Sequence, residues 1–153
     1  MIVAFTGHRP NKLGGYKTPN PTYNWVTFRL DEELRLLKPD YAISGMALGV
    51  DQWAAQVCVD LKIPFLAAVP FAGQESMWPL QSQRHYHNLL KKAFQTVVVS
   101  QGGYAAVKMQ KRNEYMVDQC GVLIAVWDGS PGGTGNCVKY AQKRFKRIVR
   151  IQP

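Results

Sequence analysis

Near its C-terminal end the chain contains Val122-Leu123-Ile124-Ala125-Val126-Trp127-Asp128-Gly129-Ser130-Pro131-Gly132-Gly133-Thr134-Gly135-Asn136, and this stretch decides the fold. Its first five residues are all apolar, which is typical of a strand buried on both faces. Val138, Ala141 and Phe145 follow at helical spacing and predict the inner face of a helix. A strand, a glycine-rich turn and a helix in this order present backbone N–H groups to an anion. The turn therefore predicts a phosphate contact, with a plain connecting turn as the alternative.

The rest of the chain repeats this alternation of short apolar segments and amphipathic segments. Strands are predicted at residues 2–5, 41–43, 64–69 and 96–99 and around 147–151, and helices at about 26–37, 50–61, 80–92 and 105–118. No internal repeat or linker divides the chain. The pattern predicts one α/β domain over residues 1–153, with a Rossmann-like, doubly wound, mostly parallel sheet of five or six strands and helices on both faces.

The charge of the chain is unevenly distributed. Of the net charge of +9, residues 1–83 contribute nothing, because seven Lys and Arg balance seven Asp and Glu, whereas residues 84–153 hold twelve and three. This asymmetry favours an anionic partner, either a nucleotide or a nucleic acid. Alternatively, the basic residues of the last helix only complement the negative end of its dipole. Those residues are Lys139, Lys143, Arg144, Lys146 and Arg147.

Composition excludes several classes of protein. A hydrophobic fraction of 46% and a charged fraction of 19% are those of a globular domain. We expect no membrane partner, because no apolar run could span a bilayer and no secretory signal is visible. Three widely spaced cysteines without a CxxC pair indicate reduced thiols and a cytoplasmic location. His85 and His87 stand two apart and share no helix face, so we expect no metal, and no cofactor is expected.

Glycines and polar residues stand where the first two strands end. Thr6, Gly7, His8 and Arg9 follow the first strand, and such positions face the ligand crevice in open α/β sheets. The second strand leads into a turn, and we place four of its residues in the site: Ser44, Gly45, Met46 and Gly49. Asp51 either caps the following helix or bonds a ribose or base. We expect these turns and the glycine-rich turn to meet at one crevice.

Arg112 is an anomaly within an apolar stripe. It stands at helical spacing with Met109 and Met116, so its side chain is predicted to point inward. A buried, unpaired guanidinium is costly, and it should meet a carboxylate or a bound phosphate. The alternatives are a ligand and a structural salt bridge near Glu114 or Asp118, and we favour the ligand.

Four motifs stand in the same order as in a known family. They are Gly7-His8-Arg9-Pro10, Ser44-Gly45-Met46-Ala47-Leu48-Gly49-Val50-Asp51, Lys111-Arg112-Asn113-Glu114-Tyr115-Met116-Val117-Asp118 and Gly132-Gly133-Thr134-Gly135-Asn136-Cys137-Val138-Lys139-Tyr140-Ala141. Together they resemble the YpsA-related branch of the SLOG superfamily over nearly the whole chain. The resemblance implies a Rossmann-like domain that binds nucleotides or nucleotide-derived molecules.

Two related groups of proteins suggest different activities. The second half of the chain is similar to the "lonely guy" phosphoribohydrolases, whose motif arginine matches Arg112. Their glutamate, however, is replaced here by Val138, so a hydrolase would need Asp51, Glu114 or Asp128 instead. Residues 44–51 resemble the loop of the DNA-processing protein A family, which binds single-stranded DNA, and the basic second half of the chain would suit that partner.

We therefore expect a sensor or binder of a small nucleotide, ADP-ribose-like or NAD-derived. Phosphate would lie against the glycine turns, Arg9 and Arg112 would pair with its charge, and Asp51 or Asn136 would bond ribose hydroxyls. The expected ligand-binding residues of the last turn are Asp128, Gly132, Gly133, Thr134 and Asn136. N-glycosidic cleavage is the second hypothesis and single-stranded nucleic acid binding the third. No residue is assigned to catalysis, and a homodimer is considered.

Overall fold

The computed structural model describes all 153 residues as six strands and five α-helices. The strands are β1 (Ile2–Gly7), β2 (Tyr41–Ser44), β3 (Phe65–Val69), β4 (Gln95–Val98), β5 (Val122–Val126) and β6 (Arg147–Ile151). The helices are α1 (Pro21–Leu37), α2 (Val50–Asp60), α3 (Leu80–Leu90), α4 (Ala106–Gln119) and α5 (Gly133–Lys143). A short 3-10 turn, Pro10–Lys12, lies between β1 and α1. None of the helices combines the length and the apolar character needed to span a membrane.

The six strands form one sheet in the order β4-β3-β2-β1-β5-β6, and every neighbouring pair is parallel. The predicted α/β fold with a doubly wound, Rossmann-like sheet is confirmed. The predicted edge strand near the C-terminus is β6, which pairs with β5.

The sheet is covered by helices on both faces because its strands alternate between two apolar layers. In β1, Val3 and Phe5 belong to a cluster with α1, α2 and α3, whereas Ala4 between them belongs to a second cluster with α4 and α5. All five residues of β3 and all five of β5 are buried. Their continuous apolar sequences are therefore explained by packing on both sides.

The strand order reverses between β1 and β5, and this reversal positions the site. The chain leaves β4 at one edge, passes through α4 and returns as β5 beside β1. The turn after β1 then leads to α1 on one face, and the turn after β5 leads to α5 on the other. Turns that diverge in this way leave a crevice at the carboxyl ends of the strands.

The end of α5 corrects one prediction from the sequence. Phe145 was expected on the inner face of the last helix, but it lies beyond the helix and is 95% exposed. Its backbone is left-handed, with φ of 58°. The Lys146 N–H donates to the Ala141 carbonyl and the Phe145 N–H donates to the Gln142 carbonyl. These bonds form a Schellman motif, in which glycine is the residue usually found at the left-handed position.

We predict that Phe145→Gly raises the stability of the protein by about 1 kcal/mol, because glycine adopts the left-handed conformation without steric cost. Thermal unfolding measures this as a Tm increase of roughly 2–4 °C for a domain of this size. Phe145→Ala is the control, since it removes the same exposed ring without relieving the backbone. An equal increase in both variants would contradict the explanation.

Candidate functional site

A polar crevice lies at the carboxyl edge of the sheet, at the reversal between β1 and β5. Its volume is about 380 Å³. Its lining comes from the turn after β1, the turn before α2, the inner side of α4 and the N-terminal end of α5. The lining residues are Thr6, Gly7, His8, Arg9, Asn11, Lys12, Ala47, Asp51, Met109, Arg112, Asn113, Ser130, Pro131, Gly132, Gly133, Thr134 and Gly135.

Nine of the residues predicted for the site line this crevice: Thr6, Gly7, His8, Arg9, Asp51, Arg112, Gly132, Gly133 and Thr134. The other six do not, and they are Ser44, Gly45, Met46, Gly49, Asp128 and Asn136. The two groups differ in what they contact. The first surrounds an open volume, whereas most of the second holds the walls of that volume in place.

The glycine-rich turn after β5 is shaped by its own polar groups. The Trp127 indole N–H donates to the Ser130 carbonyl over 2.8 Å, and the Ser130 N–H donates to the Asp128 carboxylate over 2.9 Å. Gly132, with φ of 141°, then turns the chain into α5 without a capping side chain. The first N–H groups of a helix have no partners within it. The positive end of the α5 dipole therefore lies at the crevice, where Gly133 and Thr134 form the wall.

Two contacts tie this turn to the loop that follows β1. His8 Nε2 lies 3.0 Å from Asp128 Oδ1, and Lys12 Nζ donates to Ser130 Oγ over 3.1 Å. Hydrogen bonds from Ser130, together with the nearby His8, lower the pKa of the Asp128 carboxyl. Asp128 thus positions His8 and the turn. It was expected among the ligand-binding residues, but it lies outside the crevice lining.

Arg112 is almost completely buried, with 3% of its surface exposed. Its Nη1 donates to the Gly45 carbonyl and, over 3.4 Å, to the Ala68 carbonyl, while its Nε donates to the Asn113 side chain. The salt bridge considered from the sequence is wrong. Glu114 accepts instead from Gln110, and Asp118 accepts from Tyr140 and pairs with Arg144. The guanidinium is held mainly by backbone carbonyls, which no side-chain pattern could indicate.

Asp51 supplies the carboxylate that faces Arg112 across the crevice floor. Its Oδ2 accepts the Ala47 N–H over 3.2 Å, and its backbone carbonyl accepts from Ser44 Oγ over 2.7 Å. Burial raises the pKa of Asp51, against the opposing effect of Arg112 and Arg9. Burial likewise lowers the pKa of Arg112, and the charge of Asp51 counteracts it. Each buried charge therefore depends on the other.

The remaining residues of the turn after β2 lie behind the crevice wall and explain why its sequence is so restricted. A side chain at Gly45 would put its Cβ 2.5 Å from Arg112 Nη1 and 2.8 Å from Asp51 Oδ2. Ser44 and Met46 are fully buried. Gly49 packs against the His8 carbonyl, which a Cβ would approach to 2.6 Å. These residues position the site and do not line it.

Asn136, which was expected to bond a ribose, is exposed in the first turn of α5 and does not line the crevice. The sequence analysis also missed lining residues, among them Asn11, Lys12 and Asn113. Asn113 had a signal, because it stands four residues after Met109 on the same side of α4. Lys12 had none, since the sequence predicts an irregular loop there and the short 3-10 turn that contains Lys12 has no periodic pattern.

The lining carries more positive than negative charge. Arg9, Lys12 and Arg112 face a single carboxylate, that of Asp51. No carboxylate lies within salt-bridge distance of the exposed Arg9. His, Cys, Asp and Glu side chains form no group of three or more that could hold a metal ion. The crevice is therefore suited to an anion.

Comparison with known families agrees with this architecture. The model of the YspA SLOG family (YpsA) matches residues 3–151. The chain belongs to this family. The SPbeta prophage-derived protein YoqJ of Bacillus subtilis (strain 168) is 37% identical over 130 residues, which cover 72% of this chain and 75% of YoqJ.

Among solved structures, this SLOG-family protein is similar in fold to two DNA-processing A proteins. The protein from Helicobacter pylori, whose structure concerns single-stranded DNA binding, has a TM-score of 0.72 at 19% identity. The protein from Streptococcus pneumoniae has a TM-score of 0.70 at 15% identity. The similarity covers 100% and 99% of this chain but only 66% and 50% of the two larger proteins. At these identities the likeness concerns the fold.

We predict that Arg112→Met destabilises the SLOG-family protein by roughly 1–3 kcal/mol at pH 8, because it leaves the Gly45 carbonyl without this donor. The loss of the guanidinium also removes the charge that counteracts the raised pKa of Asp51. Without the guanidinium, the pKa of Asp51 in the folded protein should lie even further above its unfolded value of 3.8 than in the parent. A protein that contains such a carboxyl loses stability as the pH rises through the folded pKa. The destabilisation should therefore be smaller at pH 5 than at pH 8.

Urea unfolding of the variant and the parent at both pH values measures this difference. In an Asp51→Asn background the effect of adding Arg112→Met should no longer depend on pH, because the carboxyl that titrates is absent from both proteins. Arg35→Met is the matched control, since Arg35 forms an exposed pair with Asp31 and its loss should cost little at either pH. A pH-independent effect of Arg112→Met would show that the two buried charges are not coupled.

Proposed function

We propose that the crevice binds a small nucleotide-derived molecule, ADP-ribose-like or NAD-derived, and that the protein acts as a binder or sensor of it. The observation that carries this proposal is the placement of the α5 N-terminus at the crevice beside Arg9, Lys12 and Arg112. Donor N–H groups and basic side chains around one concave volume are the usual environment of a bound phosphate. The volume lies within the usual range of small-molecule sites, about 300–1,000 Å³.

The wall at Gly133 is open to a phosphate group. A Cβ on this residue would meet no atom within 4 Å, so nothing in the protein requires glycine here for packing. Its neighbour Gly132 needs its left-handed backbone to begin α5. A bare backbone at Gly133 instead gives an anion close access to the N–H groups of the first helical turn.

Arg112 retains donors for a ligand in spite of its burial. Nη1 and Nε bond protein oxygens, whereas Nη2 makes no hydrogen bond within the protein. An arginine whose Nη2 is free can donate to a phosphate oxygen, while the hydrogen bonds of Nη1 and Nε fix the orientation of the guanidinium. Asp51, the one carboxylate in the lining, is the candidate acceptor for a ribose hydroxyl.

The hydrolase hypothesis is less well supported by the residues present. Val138, at the position of the hydrolase glutamate, is buried and apolar. Of the three carboxylates considered as substitutes, Glu114 and Asp128 lie outside the crevice lining. Asp51 alone remains. It can accept a hydrogen bond and stay charged, but acting as a general base would neutralise the charge that balances Arg112. Binding without cleavage is therefore the preferred function.

Single-stranded DNA is the second candidate partner, suggested by what the H. pylori relative binds. The strongest basic cluster of the chain does not belong to the crevice, however. Lys143, Arg144 and Lys146 lie at the C-terminal end of α5, about 16 Å along an eleven-residue helix from its N-terminus. Arg144 there pairs with Asp118. These charges fit the role of complementing the helix dipole.

We predict that Gly133→Val abolishes binding of ADP-ribose and NAD while the protein remains folded, because the new side chain occupies the phosphate position. Calorimetric titration of both nucleotides measures the affinity, and thermal unfolding checks the fold. Gly121→Val is the control, since Gly121 precedes β5 at the opposite edge of the sheet and its Cβ would meet Met1 Cγ at 3.4 Å and the Ile2 carbonyl oxygen at 3.9 Å. Unchanged affinity in a folded Gly133→Val variant would remove the turn from the site. Free base released during the titrations would favour the hydrolase.

We predict that replacing Lys143, Arg144 and Lys146 by glutamine leaves nucleotide affinity unchanged, because these side chains are remote from the crevice. Any binding of single-stranded DNA should be weak in the parent protein. Affinity for an oligonucleotide measured over a range of salt concentrations decides the matter, since each neutralised phosphate contributes a slope of about −0.7. Tight DNA binding whose salt slope is flattened in the triple variant would favour the DNA hypothesis.

A further inference from the structure

A second cavity, lined by aromatic and thioether side chains, adjoins the crevice. We call it the aromatic pocket, and its volume is about 470 Å³. It shares two lining residues with the crevice, Arg9 and Met109, so the two volumes meet at these side chains. Its other walls include Phe71, Met77, Trp78 and Tyr104. None of the contacts assigned above to phosphate or ribose explains this pocket.

The rings of the aromatic pocket are arranged as a partly exposed platform. Phe71 is buried and meets Tyr104 edge-on, with ring centroids 6.0 Å apart, while Trp78 is braced edge-on by Tyr86 at 5.3 Å. Tyr104 and Met77, in contrast, are 75% and 91% exposed. Large apolar side chains presented to solvent beside a polar site indicate a surface for a flat apolar group.

The aromatic pocket is also connected to Arg112 through hydrogen bonds. Gln74, another of its lining residues, donates through Nε2 to the Gly45 carbonyl over 3.3 Å and to the Tyr86 hydroxyl over 3.3 Å. The same Gly45 carbonyl accepts from Arg112. The Gln74 amide oxygen makes no hydrogen bond within the protein and is an acceptor for the polar edge of a ring.

We propose that the aromatic pocket binds the base of the nucleotide whose phosphate lies in the crevice. This inference rests on the proposed function and deepens it, because it assigns the base of the ligand to a separate subsite beside Arg9 and Met109. A nucleobase combines an apolar face that stacks on an aromatic ring with an edge that needs hydrogen bonds. The base can belong to a free nucleotide or to single-stranded DNA, and the experiment measures the binding of both.

The experiment compares AMP with ribose 5-phosphate, which lacks the base, in the parent protein, Tyr104→Ala and Gly133→Val. Calorimetry gives the AMP affinity, and competition against AMP gives that of ribose 5-phosphate. Tyr104→Ala should lower AMP affinity about tenfold or more, as expected for the loss of a stacking ring, and leave ribose 5-phosphate affinity within about twofold. Tyr16→Ala is the matched control, because Tyr16 is an exposed tyrosine outside both cavities.

Two outcomes would overturn the base subsite and leave the proposed function intact. In the first, Tyr104→Ala lowers the affinities of AMP and ribose 5-phosphate equally. In the second, AMP affinity is unchanged in Tyr104→Ala but lost in Gly133→Val. If the parent protein bound none of AMP, ribose 5-phosphate, ADP-ribose and NAD, or if Gly133→Val left the affinity of every ligand that binds unchanged, the proposed function would instead be overturned. A short oligo-dA strand is the third probe. Tight strand binding that depends on Tyr104, without AMP binding, would keep the base subsite and assign the base to a single strand.

Discussion

The buried guanidinium of Arg112 is the constraint on which the site depends. A charge removed from water must be compensated on every side, and here the compensation comes from three separate elements. The Gly45 carbonyl belongs to the turn after β2, the Ala68 carbonyl to β3, and the Asp51 carboxylate to the first turn of α2. Arg112 itself comes from α4, on the other face of the sheet. One side chain thus fixes the relative positions of helices from both layers.

The sequence around these groups follows from that requirement. Residue 45 must be glycine because a Cβ there would collide with the guanidinium. Ser44 must bond the Asp51 backbone so that the carboxylate is held in the turn. The motif at residues 44–51 is therefore best explained as a support for Arg112, and only Ala47 and Asp51 of the motif line the crevice. A glycine-rich turn can be restricted in sequence without touching phosphate.

Much of the fold could be predicted because its signals are local. The apolar runs of β3 and β5 are buried along their full length, and their patterns predict this directly. The reversal of strand order and the crevice follow from the alternation of strands and helices. Phe145 shows the limit of such patterns, because helical spacing continues past the last turn of α5 while the backbone does not. A Schellman motif with phenylalanine at its left-handed position carries no sequence signal of the usual kind.

The site was less predictable, for a physical reason. The inward direction of Arg112 followed from its place in an apolar stripe, but its partners are mainly backbone carbonyls, which every residue possesses. Asn136 and Thr134 stand two apart in one turn of α5, and only the second faces the crevice. Lys12 is held at the crevice by a hydrogen bond to Ser130, which is 118 residues away in the sequence. Long-range contacts and the rotation of a helix about its axis are not determined by residue type.

The net charge of +9 includes positive charge at both ends of α5, and the two ends differ in their surroundings. At its N-terminus the helix dipole, the uncapped N–H groups and the nearby Arg9 and Arg112 favour an anion in a small crevice. At its C-terminus the basic side chains lie on an exposed surface, where charge interacts mainly with solvent and salt. The positive charge relevant to ligand binding is therefore a small part of the total. This separation argues for a compact phosphate ligand, because a nucleic acid backbone would have to be followed by basic residues along a continuous path.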